Sequence, residues 1–581
     1  MALASCAAAP NAHGAEQPAR RPRAAAASGT PKVLVHVSRT SGVAPLAVFF
    51  DATTSRGLAG DDFVNASFEW DFDAGDADPT GTDETATGFL AAHVFRRPGS
   101  YRIECRATDK QGRTGRAVAR VAVSRFRGRT FCVAAHGNDR NPGTIDAPLR
   151  TVQYALSNKA TANTRILLRR GDTFNFDRLN CSKRRGPVIV GSYEDRRGGD
   201  RAAPVLRCTA GSGGAVTLTG TQDWRFVGLH LTSAETRRTS AFNAGGGADH
   251  LLLMDVQTDG FNIGFYLGHP PKTTHGFFVF DSLSRNPGAY GVFGTADRFA
   301  FVSSAVLDQG ANGHGIRVAG GNKTLIRNSL FRSRHTAFTS VTIRGKGDGT
   351  ANTQAVISGN RFDRIAQSGP QNTTYAESIS DVLWEHNLCE GGAPAHGSIG
   401  IQITARRVAV RDNVFVNLNT AVSLKHHPAV TSDDVHVHHN TQLVDRNQNQ
   451  AHFLLRGGGT RIDCHHNVHA SASTVPWGRV IAFTGEPGEL SEDRNCYFAP
   501  RQGAGWAPFK LGGSDFSLAD WQRLGKGRHT VNRDPGFVST EPEHPDFLRL
   551  RDNSPVHGAG ARLRANRPVA SGWSRAAAAQ P

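Results

Sequence analysis

Two stretches of the chain, "HGIRVAG" (residues 314–320) and "SVTIRG" (residues 340–345), alternate apolar and polar residues. In an extended strand, alternate side chains point to opposite faces. Ile316 and Val318 then face a packed interior and Arg317 faces solvent; Val341 and Ile343 likewise face in, with Thr342 and Arg344 out. Later stretches of the same kind, "GIQITA", "AVSLKHH" and "HFLLRGGG", put Gln402 and Thr404, Ser423 and Lys425, and Arg456 on the outer side. His314, His335, His396, His426 and His427 flank this row, and Gln367 and Gln371 lie between its halves. Guanidinium, ammonium, amide and imidazole groups in a line suit the gripping of a polyanion. A cation beside a carboxylate also acidifies the adjoining C–H, so a second group of tuned pKa can remove that proton.

The elements that must position such a row are legible as a repeat. Short apolar strands each run into one small or amide residue: Gly228, Asp255, Asp281, Ser304, Asn328, Asn360, Asn387, Asn413, Asn440, Asn467 and Asn495. The steps are 27, 26, 23, 24, 32, 27, 26, 27, 27 and 28 residues, which is one period repeated and the length of one coil of a parallel β-solenoid. Asn at such a corner tolerates left-handed backbone angles and can hydrogen-bond its neighbours in a ladder. Strands of neighbouring coils stack about 4.8 Å apart, so Arg317 and Arg344 are expected side by side, with Lys425 about three coils or some 15 Å further on. The longest step carries "RGKGDGTANTQ", and a long insertion on one face of a solenoid is expected to wall a groove.

Composition agrees with this class. The 581 residues include 64 Gly with only 20% charged and 38% hydrophobic residues, which favours turns and strands over helices. The formal charge is +17 and the pI about 10.0, which reflects either a polyanionic partner or Arg- and Ala-rich codon usage. No run of 18 apolar residues is present, so no membrane-spanning helix is expected. The outer row lacks the interleaved aromatics that bind single strands, and no DNA-reading helix motif is visible, which argues against nucleic acid. Eight cysteines without CxxC spacing make neither a zinc site nor a dense disulfide framework; Cys181 and Cys208 are either a pair between coils or two separate buried thiols.

Two resemblances extend the reading. Residues 31–125 hold short β segments with "SGVAPLAVFFDATTS", "FEWDFDAGDAD" and "HVFRRPGSYRIECRATDKQGRTG", and they resemble a PKD domain, a β-sandwich in which Trp70 takes the place of the family's core tryptophan. Here "WDFDAGD" replaces the usual "WDFGDG", so a remodelled turn is expected after Phe72. From residue 130 the opening "AAHGNDRNPGTIDAPLRTVQYALS" and the ending "DPGF…SPVHGAGA" resemble bacterial right-handed parallel β-helix proteins of the pectate-lyase-like superfamily, with a capping helix on Val152, Ala155 and Leu156. The expected architecture is all-β: a disordered tether at 1–30, the sandwich at 31–125, the β-helix at 130–565 and a disordered tail at 566–581. The "LASC" of residues 3–6 resembles a bacterial lipobox and implies a lipid anchor on Cys6 and a secreted or cell-surface, monomeric protein.

The second resemblance implies an enzyme on acidic polysaccharide, foremost a lyase that eliminates at a uronate. Arg344 or Lys425 is then the base, the other neutralises the carboxylate with Arg317, and His314 or His426 is the acid. Gln402, His426, Arg456, Gln371 and His335 bind substrate, and Glu377 with Asp381 would hold a calcium ion if one bridges the carboxylate. Glycoside hydrolysis, which needs two carboxylates among Asp308, Asp348, Glu377 and Asp381, stands as the alternative, as do an epimerase and a non-catalytic adhesion protein. The His-rich runs around His436, His438, His439 and His466 read as a stacked polar corner.

Overall fold

The computed structural model describes residues 29–562, apart from 74–84, 196–200, 235–238, 270–272, 311–312, 334–338, 346–350, 353, 366, 371–377, 392–397, 426–431, 446–451, 475–477, 484, 486 and 504. Cys6, almost all of the expected tether, the tail at 566–581 and the remodelled turn after the sandwich tryptophan lie outside the described residues.

The N-terminal sandwich pairs a three-stranded antiparallel sheet (His36–Val37, Leu46–Asp51 and Leu90–Phe95) with a five-stranded one. Trp70 lies at their centre, 1% exposed, and its indole N–H donates to Gly88 O at 2.8 Å. The remainder winds as a right-handed parallel β-helix, each coil contributing three strands to three parallel sheets. A coil can be followed from Ala296–Val302 around a corner to Ala305–Leu307 and on to His314–Ala319. The helix Val152–Asn158 closes one end, burying Val152, Ala155 and Leu156 as its spacing demands. At the other end the helix Leu518–Arg523 stacks Trp521 on Phe509 at 4.6 Å.

The repeat residues build a buried ladder, with one shift of register from expectation. The left-handed residue is the one before each late asparagine: Gly359 (φ 67°), His386 (55°), Asp412 (55°), His439 (55°), His466 (54°) and Arg494 (55°). Asp255, Asp281 and Asn328 hold that left-handed place in the earlier coils, so they are corner residues; Ser282 and Ser329 after them fill the ladder, and Val256 gives it only a backbone N–H. The ladder runs inside the corner: Val256 N donates to Ser282 Oγ, Ser282 N to Ser304 Oγ, Ser304 N to Ser329 Oγ and Ser329 N to Asn360 Oδ1. Asn360, Asn387, Asn413, Asn440, Asn467 and Asn495 continue it, each backbone N–H donating to the next amide oxygen, until Asn495 N reaches Thr530 Oγ1. Each amide nitrogen also donates backward, as Asn413 Nδ2 does to Trp384 O at 2.9 Å. The asparagine is therefore selected for a side chain that bridges coils, and its neighbour for tolerance of positive φ.

The sandwich packs directly on this solenoid. The strands of the first sheet carry an outward apolar column, Leu252, Phe278, Ala300, Leu325, Val356, Leu383 and Ala409, that joins the core of Phe49, Phe50, Phe89 and Leu90. Gly88 (φ 89°) sits where a Cβ would lie 2.7 Å from Val356 Cγ1. Arginines bolt the seam: Arg225 donates to Val43 O and Pro45 O, and Arg411 donates to Asn65 O and Ala66 O while paired with buried Glu385. One coil further, where the sandwich ends, the same column turns polar at His436 and Asp463. The thiols of Cys181 and Cys208 are separate and buried, not a disulfide.

Asn413→Ala strips donors and acceptors from both adjoining coils and is expected to cost about 3 kcal/mol, the scale of buried groups left unpaired. Asn413→Ser, the residue used at 282, 304 and 329, keeps the acceptor and is expected to cost clearly less; equal losses in chemical denaturation would contradict a ladder role.

Candidate functional site

The third sheet carries the expected row. Register sets His314 between Tyr290 and Thr339, Arg317 between Phe293 and Thr342, and Ala319 beside Arg344. Ile316, Val318, Val341 and Ile343 are fully buried as read, while Thr342, read as solvent-facing, is also buried, covered on the outer side by its neighbours in the row. The alternation fails further along. Thr404 lies past the end of its strand, Ile399–Ile403, and is buried, and Ser423 is buried between the longer side chains of Gln402 and Arg456.

His314, Arg317 and Arg344 form one cluster. His314 Nδ1 is 2.8 Å from Thr342 Oγ1, and its ring stacks on Tyr290 at 5.7 Å and 13°. Arg317 Nη1 donates to the Tyr290 hydroxyl at 3.4 Å, tying the cation to the same ring. Burial first, and then the charges of Arg317 and Arg344, push the His314 imidazole down to about 4. At neutral pH it is therefore an uncharged imidazole in the field of two guanidiniums, able to take up a proton first and to donate only the proton it has taken. A row of half-buried rings leads away from this cluster: Tyr290 stacks on Phe293 at 4.5 Å, and Phe293 on Tyr266 at 5.9 Å. Tyr266, Tyr290, Phe293 and Thr342 were not expected as site residues. The signal was present, because "GFYLG" and "YGVFG" align with "HGIRVAG" once the coil period is imposed.

Lys425, Gln402 and Arg456 do not join that cluster. From Thr339–Arg344 the hydrogen-bonded sheet ends at Gln367–Pro370; Ile399–Ile403 stacks next to it and opens a second stretch through Thr420–Leu424, so exposed Lys425 stands about 15 Å away at one strand spacing per step. Gln402, Ser423, Arg456, Ala482 and Lys510 are successive partners in one outward column. The Arg456 guanidinium lies over the Phe453 ring at 5.7 Å. His335, Gln371, Glu377, His396, His426 and His427, together with Asp348, lie outside the described residues.

The calcium expectation is corrected at Asp381. Asp381 belongs to the first sheet, and both its oxygens are taken by Arg407, at 2.5 and 2.7 Å. Among the described residues no group of His, Cys, Asp or Glu is arranged to hold a metal ion. Asp308 sits at a corner with φ 55°. The other histidine run is a stacked array beside the asparagine ladder: His438 on His465 and His439 on His466, both at 4.9 Å.

Histidine burial sets a pH window for stability. Inside the solenoid, burial pushes His452 down to about 4, and burial followed by the charge of His452 pushes His469 down to about 3. With His314, these groups stabilise the fold above the unfolded value of 6.5 and lose that contribution as pH falls through 4. Burial works against charge at His436 too, but Asp434 and Asp463 outweigh it and raise it to about 9, so its contribution is lost as pH rises from 6.5 through 9. Thermal melts are expected to peak near neutrality and to fall more steeply on the acid side, where His452 alone contributes on the order of 3 kcal/mol. A melting temperature flat between pH about 6 and about 4 would contradict this assignment.

No curated protein matches the chain. Among solved structures it is similar to a mannuronic-acid-specific polysaccharide family 6 lyase from human gut microbiota, with 12% identity, 70% of this chain and 92% of that chain covered, and a TM-score of 0.42. It is similar to a family 28 exopolygalacturonase of Yersinia enterocolitica at 12% identity, 84% and 100% coverage and a TM-score of 0.39. The A-module of an Azotobacter vinelandii mannuronan C-5 epimerase gives 11% identity, 64% and 91% coverage and a TM-score of 0.35. At such identities and scores these likenesses carry no argument about chemistry. Residues 33–122 match the family model described as PKD domain, so the chain is a PKD domain followed by a right-handed parallel β-helix.

Proposed function

We propose that the chain is an extracytoplasmic enzyme that cleaves an acidic polysaccharide by β-elimination at a uronate, on the outer face of the third sheet. The observation that carries this reading is the cluster in which His314 is held by Thr342 and Tyr290 within reach of the charges of Arg317 and Arg344, which with burial keep the imidazole neutral. Elimination starts by removing the proton α to the uronate carboxylate, and that proton becomes acidic only when the carboxylate charge is neutralised. Arg317 and Arg344 supply the neutralising charge. His314 takes the role of base that its charge state at neutral pH permits, and arginine and lysine do not need to lose a proton.

With Nδ1 engaged by Thr342, Nε2 is the nitrogen left for substrate. His314 removes the C5 proton, the C4–O bond breaks, a C4=C5 double bond forms, and the imidazolium returns its proton to the departing oxygen. One group thus serves both steps, and no outside reactant is consumed. Lys425, with Gln402 and Arg456, binds carboxylates and hydroxyls further along the polymer.

Ultraviolet absorbance of the unsaturated uronate is the test, on a panel of acidic polysaccharides. His314→Ala, Arg317→Ala and Arg344→Ala are each expected to lower kcat/KM by about 10²–10⁴-fold. Lys425→Ala is expected to raise KM about tenfold with kcat retained. New reducing ends without absorbance would replace elimination by hydrolysis, and binding without turnover would leave an adhesion protein.

A further inference from the structure

The outward column of the third sheet changes character at Arg317. Going toward the N-terminus its members in register are Phe293, Tyr266, Asn243 and Thr217, all uncharged. Going the other way its members in register are Thr342 and Gly369, and the cations stand off that column at Arg344 and, several coils on, at Lys425, Arg456 and Lys510. The part of this half next to Arg317 is aromatic: Tyr266 and Phe293 lie stacked with planes 26° apart, and Phe293 and Tyr290 with planes 21° apart. A Cβ on Gly245 would lie 2.8 Å from the Tyr266 ring, so that ring is seated directly over the backbone of its neighbouring coil. Both tyrosines and Phe293 are half-buried, which leaves ring surface open on the outer side.

An aromatic face presents negative potential and apolar surface. It suits the C–H face of a sugar ring and disfavours a carboxylate that has no cation beside it. Among the described residues of the register column from Phe293 to Thr217 none is a cation; Arg178 lies off that column, against Gly213 and Ser212 at the far end of this half. We infer that Tyr266 and Phe293 form a subsite for an uncharged sugar immediately on the N-terminal side of the eliminating centre, so the substrate is a heteropolysaccharide in which neutral residues adjoin uronates. This rests on the elimination reading for the position of the centre, but not for the binding of a neutral ring. Tyr290 is a positioning residue in the same row, since it carries His314 on its ring and Arg317 on its hydroxyl.

The experiment is calorimetric binding to the full chain in an Arg344→Gln background, which prevents consumption of ligand. The probes are a hexasaccharide of alternating glucuronate and N-acetylglucosamine, and hexagalacturonate. Phe293→Ala and Tyr266→Ala are expected to weaken the alternating probe about tenfold each and to leave hexagalacturonate within about twofold. Phe293→Leu keeps the packing volume and loses the ring face, so it is expected to behave as Phe293→Ala does while melting like the parent. Equal loss on both probes would overturn the neutral subsite and leave the elimination reading standing. Unchanged binding of both would overturn the platform itself, and binding of neither probe by the parent would overturn both readings.

Discussion

The buried ladder of hydroxyl and amide side chains that runs from Ser282 to Thr530 holds the rest of the structure in register. Each rung joins a backbone N–H of one coil to a side-chain acceptor of the next, so a coil can neither slip nor twist without breaking a buried hydrogen bond. That constraint fixes the vertical order of everything outside it. Arg317 stands one strand from Arg344 because Ser304, Ser329 and Asn360 stand one rung apart on the far side of the same coils. The last rung is anchored by Glu492, whose carboxylate accepts from Asn495, Tyr497, Trp521 and Thr530.

A second constraint acts through the first sheet. Its strands are apolar on both faces over the coils that the sandwich covers, and the two bodies therefore share one hydrophobic core. The buried Arg411–Glu385 pair and Arg225 lie in that seam, with both guanidiniums donating to backbone carbonyls of the sandwich and Glu385 neutralising Arg411. This places the sandwich as a fixed wall against the first sheet, and its described apolar contacts with the solenoid are made there, not on the third sheet that carries the aromatic and cationic row.

Much of this architecture was legible in the chain. The period of the corner residues gave the coil, and strict alternation in "GIRVAG" and "SVTIRG" gave the outward cations. What was not legible has physical causes. The asparagine and its left-handed neighbour are adjacent in sequence, and only the backbone angles show which does which. "LLLMDV", "FFVF" and "FAFV" break the two-residue alternation because the sandwich buries their second face, and no local signal names the partner. Asp381 looked available for a metal until Arg407, from the next coil, took both its oxygens. The aromatic row escaped notice because Phe293 and Tyr266 resemble core residues until register sets them in line with Arg317.

Elimination by this cluster depends on the charge state of His314, and the pH dependence of kcat/KM reads it directly, because that ratio reports the ionisations of the free protein. The expected profile has an acid limb with its midpoint at about 4 and is flat through neutrality. A substrate carboxyl titrates nearby, so the limb is assigned by Thr342→Val, which removes the Nδ1 partner and is expected to move the midpoint while the substrate stays the same. A rate that rises only where lysine or arginine loses its proton, with no acid limb belonging to the protein, would contradict the account.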